Sequence, residues 1–361
     1  MPTAELFDFH TLQGLQRRAL PVLGEQKDIR YFGTHARSVL NDTDVTGMPF
    51  WSINPYVGCA FGCAYCYARY AHGWVIERAV TANPEVAVLR EAFESLPPWL
   101  AFERQIFVKE NAADALRRAL RYGSDKHLRL IRGDRIGIGT ATDPYQPAER
   151  RFRVTRSLLE VFAEHEGLRI FIVTKGPLVS RDADVLMRIG RRNEISVHIS
   201  LITVDRDLAR RLEPRAPTPE SRLRAVARLR EYGVDCGINV MPVLPGITDR
   251  PDQLEPLVKA AASAGATRVA ACALRLRSTA RKRYLPFIAQ EFPELAERYR
   301  VTYARGHTVG EQYSEGLKRY FAKLCARYGV AFGYQNPADE TEPEAEAGER
   351  QLPLDFQAAK L

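Results

Sequence analysis

The chain has 361 residues, of which 45% are hydrophobic and 27% charged, and 52 Lys and Arg exceed 44 Asp and Glu to give a formal net charge of +8. This composition suits a globular protein with one large domain or two medium ones; no run reaches the roughly 18 apolar residues of a membrane span, and the opening MPTAELFDFH lacks the basic start and apolar run of a secretory signal. A cytoplasmic protein with reduced thiols is therefore expected, so disulfides are a poor account of its six cysteines.

Residues 1–49 read as an irregular leader that packs on the core. Over residues 50–290, short apolar segments rich in Ile and Val alternate with helical patterns. Strands are expected at Gln105 to Lys109, Arg135 to Thr140, Leu168 to Thr174, Glu194 to Leu201, Val234 to Val243 and Arg268 to Leu276. Each has the composition of a strand buried on both faces. One helix opens at Thr218-Pro219-Glu220, with Thr as N-cap and Pro at the first helical position, and ends near Gly233. Another runs from Pro251 to Ala264 and stops at Gly265. About six such βα units predict a parallel, partial (β/α)6 barrel rather than a doubly wound sheet, with its chemistry at the C-terminal strand ends. Residues 291–335 read as mostly helical, and residues 336–361 as a disordered acidic linker and tail, since Pro337 to Glu349 holds six acids and no base.

Three of the cysteines, Cys59, Cys63 and Cys66, crowd into NPYVGCAFGCAYCYAR, where Gly58 and Gly62 permit a tight turn. By spacing alone, two metals fit. Zinc would take His72 as its fourth ligand. An iron–sulfur cluster would be held by three thiolates, leaving one iron open. Cys236, Cys272 and Cys325 are isolated and read as small buried hydrophobes.

CxxxCxxC with an aromatic before the last Cys, after the first strand of βα repeats, resembles the radical SAM superfamily. NPYVGCAFGCAYCYAR, GTATDPYQPAER, VTKGPLVSRDADVL, HISLITVDRDLARRLEPRAPTPESRL and MPVLPGITD follow in the order seen in its spore photoproduct lyase-like branch. The resemblance implies a [4Fe–4S] cluster on Cys59, Cys63 and Cys66, and S-adenosylmethionine chelating the open iron and yielding a 5′-deoxyadenosyl radical. It implies cofactor contacts from Tyr65, Lys175, Ser200 and Asn239, with Lys175 on the cofactor carboxylate. Tyr67, Thr142, Asp143 and Tyr145 would stand at the reaction, and a flavodoxin or ferredoxin would supply the electron. The plain alternatives are a capped helix start at Asp143, satisfied barrel-interior groups at Ser200 and Asn239, and core packing for the tyrosines. In the sporulation enzymes of this branch a cysteine donates hydrogen where this chain has Thr140, so reversal of a thymine dimer by that donor is not expected; Cys236 or Cys272 would have to substitute.

Eight arginines lie between Arg206 and Arg230, and RLRSTARKR spans Arg275 to Arg283. Two basic runs after strand ends favour a phosphate backbone. The expected function is radical chemistry on nucleic acid, DNA ahead of RNA, most simply on a base or lesion in a repair-like reaction. RNA or peptide modification, or a metal-bearing binding module without catalysis, are the alternatives. In the tail, Gln351, Leu352, Leu354 and Phe356 resemble the peptide by which bacterial repair factors hold the sliding clamp.

Overall fold

The larger of two sheets runs in the order β12-β11-β10-β9-β8-β7-β4-β3. These are β3 (Leu40–Asn41), β4 (Trp51–Ile53), β7 (Arg135–Ile138), β8 (Arg169–Thr174), β9 (Glu194–Ser200), β10 (Asp235–Val243), β11 (Arg268–Ala273) and β12 (Ala331–Phe332). All neighbours pair in parallel except β3 with β4. Six of the parallel strands, β4 to β11 without the second sheet's pair, form the expected partial barrel, and β12 adds to its far edge. The structure is a computed structural model and describes residues 22–26, 28–72, 96–304 and 306–334. Gln351, Leu352, Leu354 and Phe356 lie outside the described residues.

Two expectations need correction. Gln105–Lys109 (β6) is a strand but not a barrel strand. It joins β1 (Val22–Gln26), β2 (Ile29–Thr34) and β5 (Tyr56–Val57) in a four-stranded sheet ordered β1-β2-β6-β5. All five of its residues are buried, so its composition announces a covered strand without naming the sheet that covers it. The first barrel strand is instead the short Trp51–Ile53. The leader is likewise less irregular than expected, because β1 and β2 pair antiparallel and β2 pairs in parallel with β6.

Helices cover the barrel: α1 (Ala112–Ala119) and α2 (Asp125–Ile131) before β7, α3 (Pro147–Phe152) and α4 (Val154–Phe162) before β8, α5 (Ala183–Gly190) before β9. Then come α6 (Arg206–Leu212) and α7 (Pro219–Glu231) before β10 and α8 (Pro251–Ser263) before β11. The helical C-terminal region contains α9 (Ser278–Glu291), α10 (Pro293–Thr302) and α11 (Glu311–Tyr328). α7 starts as its sequence foretold: the Thr218 side chain accepts from the Ser221 N–H, with Pro219 at the first position.

Strand register sets which side chains point into the barrel. Ile238, Val240 and Val269 face the helices and belong to the main apolar core. The alternate residues, Gly137, Phe171, His198, Gly237 and Asn239, therefore face inward. Gly137 makes room for Phe171, whose ring would lie 2.5 Å from a Cβ there. A second apolar cluster caps the C-terminal strand ends and includes Phe61, Cys63, Tyr65, Ile202, Leu244 and Leu274. No helix among the described residues is long and apolar enough to cross a membrane.

Candidate active site

The cysteine loop leaves β5 where the two sheets meet. Gly58 has φ +90°, and a Cβ on it would come within 2.9 Å of Phe102 O, Gln105 O and the His72 ring; only glycine fits there. The loop backbone is held from several sides. Thr142 Oγ1 donates to Gly58 O at 2.5 Å, and Gln146 bonds both Gly58 O, through Nε2 at 3.0 Å, and the Ala60 N–H, through Oε1 at 2.9 Å. Arg215 Nε donates to Ala60 O at 2.8 Å, and buried Arg69 donates to Cys63 O at 2.8 Å. The segment after α6 adds two backbone bonds, Ala64 N–H to Leu212 O at 3.0 Å and Arg215 N–H to Phe61 O at 3.2 Å.

With its backbone so occupied, the loop offers its three thiols together. Burial pushes the Cys63 thiol up to about 12, with Lys175 opposing the rise, and it raises Cys59 and Cys66 as well. Cys59 senses both of the other thiols, and Cys63 senses Cys66. Thiolates in such a site need a cation to form. Among the described residues, no set of three or more His, Cys, Asp or Glu is disposed to hold a single metal ion. Three soft thiols without a nearby fourth ligand suit a cluster with an open iron better than mononuclear zinc.

His72, the fourth ligand of the zinc reading, is buried on the far side of the loop. Its Nε2 meets Gln105 O at 2.8 Å, and its ring packs between Phe102 and Phe107. The zinc arrangement is therefore not formed: the imidazole belongs to the small sheet.

Register brings three sequence candidates into one row. Thr174 pairs with Ile199, so Lys175 follows opposite Ser200, and Ser200 pairs with Asn239. All three sit at the mouth side of the barrel interior. Asn239 is 3% exposed, and its Oδ1 is a buried acceptor with no donor, a lack that a ligand's N–H or O–H would remedy. Lys175 Nζ lies 3.7 Å from Glu213 Oε1 and 5.7 Å from the Tyr65 ring centroid. Glu213 also takes the Tyr65 hydroxyl and Arg222 Nη2, while Arg222 Nη1 donates to Ser200 O at 3.0 Å. Burial would raise the Glu213 carboxyl, but Arg222 and then Lys175 more than offset it, and the group is held below its usual value.

Thr142 and Asp143 are at the site, and both side chains are engaged in structure. Asp143 is not a helix cap. Its Oδ1 accepts from the Tyr145 N–H at 2.9 Å and Thr174 Oγ1 at 2.6 Å, and its Oδ2 from the Lys175 N–H at 2.7 Å, joining the ends of β7 and β8. Tyr145 is placed away from the thiols. Its ring is in the main core, and burial followed by Asp182 and Glu149 pushes its hydroxyl well up. Tyr67 is 43% exposed beside the loop and donates to Thr140 O. Cys236 and Cys325 are buried as expected, but Cys272 is only half-buried and lies near enough to Tyr67 to act on its hydroxyl. Gln146, Glu213, Arg69 and Arg222 carry no site signal in the sequence: Glu213 and Arg222 lie in an Arg-rich run that looks like solvated surface, and nothing local marks Gln146 or Arg69.

A sequence profile of the Radical SAM superfamily matches residues 53–258, more than half of the chain. The chain belongs to the radical SAM superfamily. It is an enzyme of that superfamily, and its cofactors are a [4Fe–4S] cluster and S-adenosylmethionine. An uncharacterized protein of Mycobacterium tuberculosis is 34% identical over 93% of this chain and 92% of its own length. An uncharacterized protein of Methanocaldococcus jannaschii is 27% identical over 59% of this chain and 68% of its own. A structure of spore photoproduct lyase with bound AdoMet and a dinucleoside spore photoproduct has the same fold, with TM-score 0.59 and 15% identity over 91% of this chain and 93% of that one.

In this radical SAM enzyme most arginines of the Arg206–Arg230 run have partners within the chain, several of them at the surface. Arg206 pairs with Glu220, Arg210 with Pro214 O, Arg211 with Glu291 and Arg230 with Gly265 O; Arg215 and Arg222 hold the site, as above. Arg224 and Arg228 line a cleft of about 730 Å³ between α7 and the Pro177–Asp182 turn. The second basic run does reach the mouth, because α9 packs on the Tyr67–Arg69 turn.

Proposed function

We propose that this radical SAM enzyme acts on a nucleic-acid substrate, with a DNA base or lesion first in order, by a lyase-like or base-modifying reaction. The observation that carries the reading is the cationic end of α9 beside the cysteine loop: Arg277 stands by Tyr67 and Tyr70, and among the described residues it meets no carboxylate. The fold shared with spore photoproduct lyase supports it, since that enzyme's structure holds a dinucleoside spore photoproduct.

In this reading Cys59, Cys63 and Cys66 hold the cluster. When bound, the cluster and S-adenosylmethionine supply a 5′-deoxyadenosyl radical. Lys175 offers its ammonium to a carboxylate, and Asn239 Oδ1 accepts from an amine or hydroxyl. Ser200 and Tyr65 line the same side. Phe61, Ile202, Leu244 and Leu274 exclude water from the thiols. Thr142 and Asp143 act by holding the loop and the strand ends in place. A small electron carrier of the flavodoxin or ferredoxin type, in the cytoplasm, reduces the cluster. Residues 50–290 carry the chemistry and residues 291–335 flank it.

The test is anaerobic reconstitution with S-adenosylmethionine and a chemical reductant, following 5′-deoxyadenosine release with DNA, RNA and a peptide library. DNA is expected to accelerate release and to acquire a change in mass. Release stimulated by peptides and indifferent to nucleic acid would overturn the reading.

A further inference from the structure

Beyond the arginine at the loop, the mouth has a second group, on the side where α9 meets the single turn Pro98–Ala101. Lys282 is exposed, and its Nζ lies 4.9 Å from the centroid of the Trp99 ring. Trp99 is half-buried. Its carbonyl is fixed by Arg69 Nη1 at 2.5 Å, and the same Arg69 holds Cys63 O at 2.8 Å and Glu103 Oε2 at 2.7 Å. The Trp99 backbone, not its indole, is therefore tied through one buried guanidinium to the backbone of a candidate cluster ligand. Arg277 is the N-cap of α9 and Lys282 lies five positions on, about 7.5 Å of helix rise further along. Tyr67 and Tyr70 stand by Arg277. Cations and aromatic residues thus alternate along one rim: Tyr67 and Tyr70 with Arg277, then the Trp99 ring with Lys282. Among the described residues neither cation is paired with a carboxylate, and Glu103 is already bound to Arg69.

Such alternation selects for more than negative charge. A duplex presents phosphates but hides the faces of its bases, so it could use Arg277 and Lys282 and leave the aromatics idle. An unpaired strand exposes both, and base–aromatic stacking tolerates any sequence because every base has a π-face. Resting on the nucleic-acid reading above, we infer that this rim takes a single-stranded or locally opened segment, with a base against Trp99 and phosphates on Lys282 and Arg277. The strand is thereby delivered to the thiol loop with a base already out of its stack, and the enzyme need not spend binding energy on opening a duplex. The substrate class is accordingly unpaired nucleic acid: a bubble, an end, a loop or a displaced strand.

The test uses the reconstituted full-length enzyme and fluorescent oligonucleotides of one sequence in three forms: single strand, duplex, and a single strand whose bases are replaced by abasic sites. The single strand should bind about tenfold or more tightly than either of the others, the scale of stacking one base. The double variant Trp99→Ala with Lys282→Ala should lose that margin, while Trp99→Phe keeps most of it. Iron content and substrate-free release of 5′-deoxyadenosine should be unchanged in both, which separates loss of the rim from loss of the fold. Equal binding of the abasic and ordinary strands, or no effect of the double variant, would overturn the rim while leaving a nucleic-acid substrate standing. No binding of any form by the unaltered enzyme would overturn the nucleic-acid reading itself.

Discussion

Glu213 is the carboxylate on which the charged groups beside the thiols converge. Its carboxylate faces Arg222, Lys175 and the Tyr65 hydroxyl, and it is fully buried. Glu213→Gln would leave two cations in the interior with one counter-charge removed. The expected cost is about 3–5 kcal/mol, the scale of breaking a buried ion pair, read as a lower urea midpoint of the holoenzyme. The pH dependence has a definite sign. Because the folded carboxyl is held below its usual value, its contribution is present above the unfolded pKa of about 4.3 and is lost as pH falls through the lower folded value. An acid-unfolding midpoint unmoved by Glu213→Gln would contradict this. The thiols and His72 offer a cleaner separation. Single Cys59→Ala, Cys63→Ala or Cys66→Ala variants should lose the brown colour and bound iron. His72→Phe should keep both and cost about 1–3 kcal/mol for the Gln105 carbonyl it abandons; iron loss in that variant would revive a metal role for the imidazole. For Lys175, removal to Met should spare the iron and weaken S-adenosylmethionine binding by about 1.5–3 kcal/mol, as for a hydrogen bond to a charged group. Calorimetric titration decides it, and an unchanged affinity would take Lys175 out of the site.

At the scale of elements, the decisive contacts are between strand ends. Gly139 has φ +93°, and a Cβ there would lie 2.5 Å from both Pro144 Cδ and Val173 O. Gly139→Ala combines a strained backbone with overlap against a carbonyl. It should destabilise by about 2–4 kcal/mol, combining backbone strain with overpacking, measured by thermal melting; a wild-type melting temperature would show that β7 and β8 can part without cost. The sequence made most of this framework legible. β7, β8, β9, β10 and β11 were visible as short apolar runs between helices, and the α7 start was visible in Thr218-Pro219. β4 was not, because three residues carry no period, and β6 was assigned to the wrong sheet because burial on both faces does not specify a partner. The site divides similarly. The thiols could be read from their spacing and Lys175 from its place after FIVT, whereas Glu213 and Arg222 could not. Their place at the site depends on the Leu212–Arg215 segment meeting the cysteine loop and on Tyr65 and Lys175 reaching Glu213, a tertiary fact that leaves no local mark.

For the whole molecule, the net charge of +8 overstates the cationic surface available to a ligand. Arg215 and Arg222 of the run after β9 are committed to the cysteine loop and its support, Arg206, Arg210, Arg211 and Arg230 make exposed contacts within the chain, and the open cations of the mouth come from α9 and its N-cap. The salt dependence of binding measures how many are used. If Arg277 and Lys282 each take one phosphate of a single strand, changing both to Ala should make the slope of log K against log salt shallower by about 1.4, at about 0.7 per contact. A slope unaltered by the double change would move the contacts elsewhere, for which the Arg224 and Arg228 cleft is the first place to look.

The two backbone bonds between the cysteine loop and Leu212–Arg215 also bear on what can be transplanted. Arg215 sits where any side chain on Gly62 would have to go, within 2.9 Å of its Cβ position, and it grips Ala60 O from the other side. The CxxxCxxC segment is thus half of a two-part piece whose other half lies some 150 positions later in the chain. A chimera that moves only the first half into another barrel would carry the ligands without the mould that shapes them. Grafts that include LEPR should retain the loop's conformation, and the two segments should behave as one heritable unit when such enzymes are recombined.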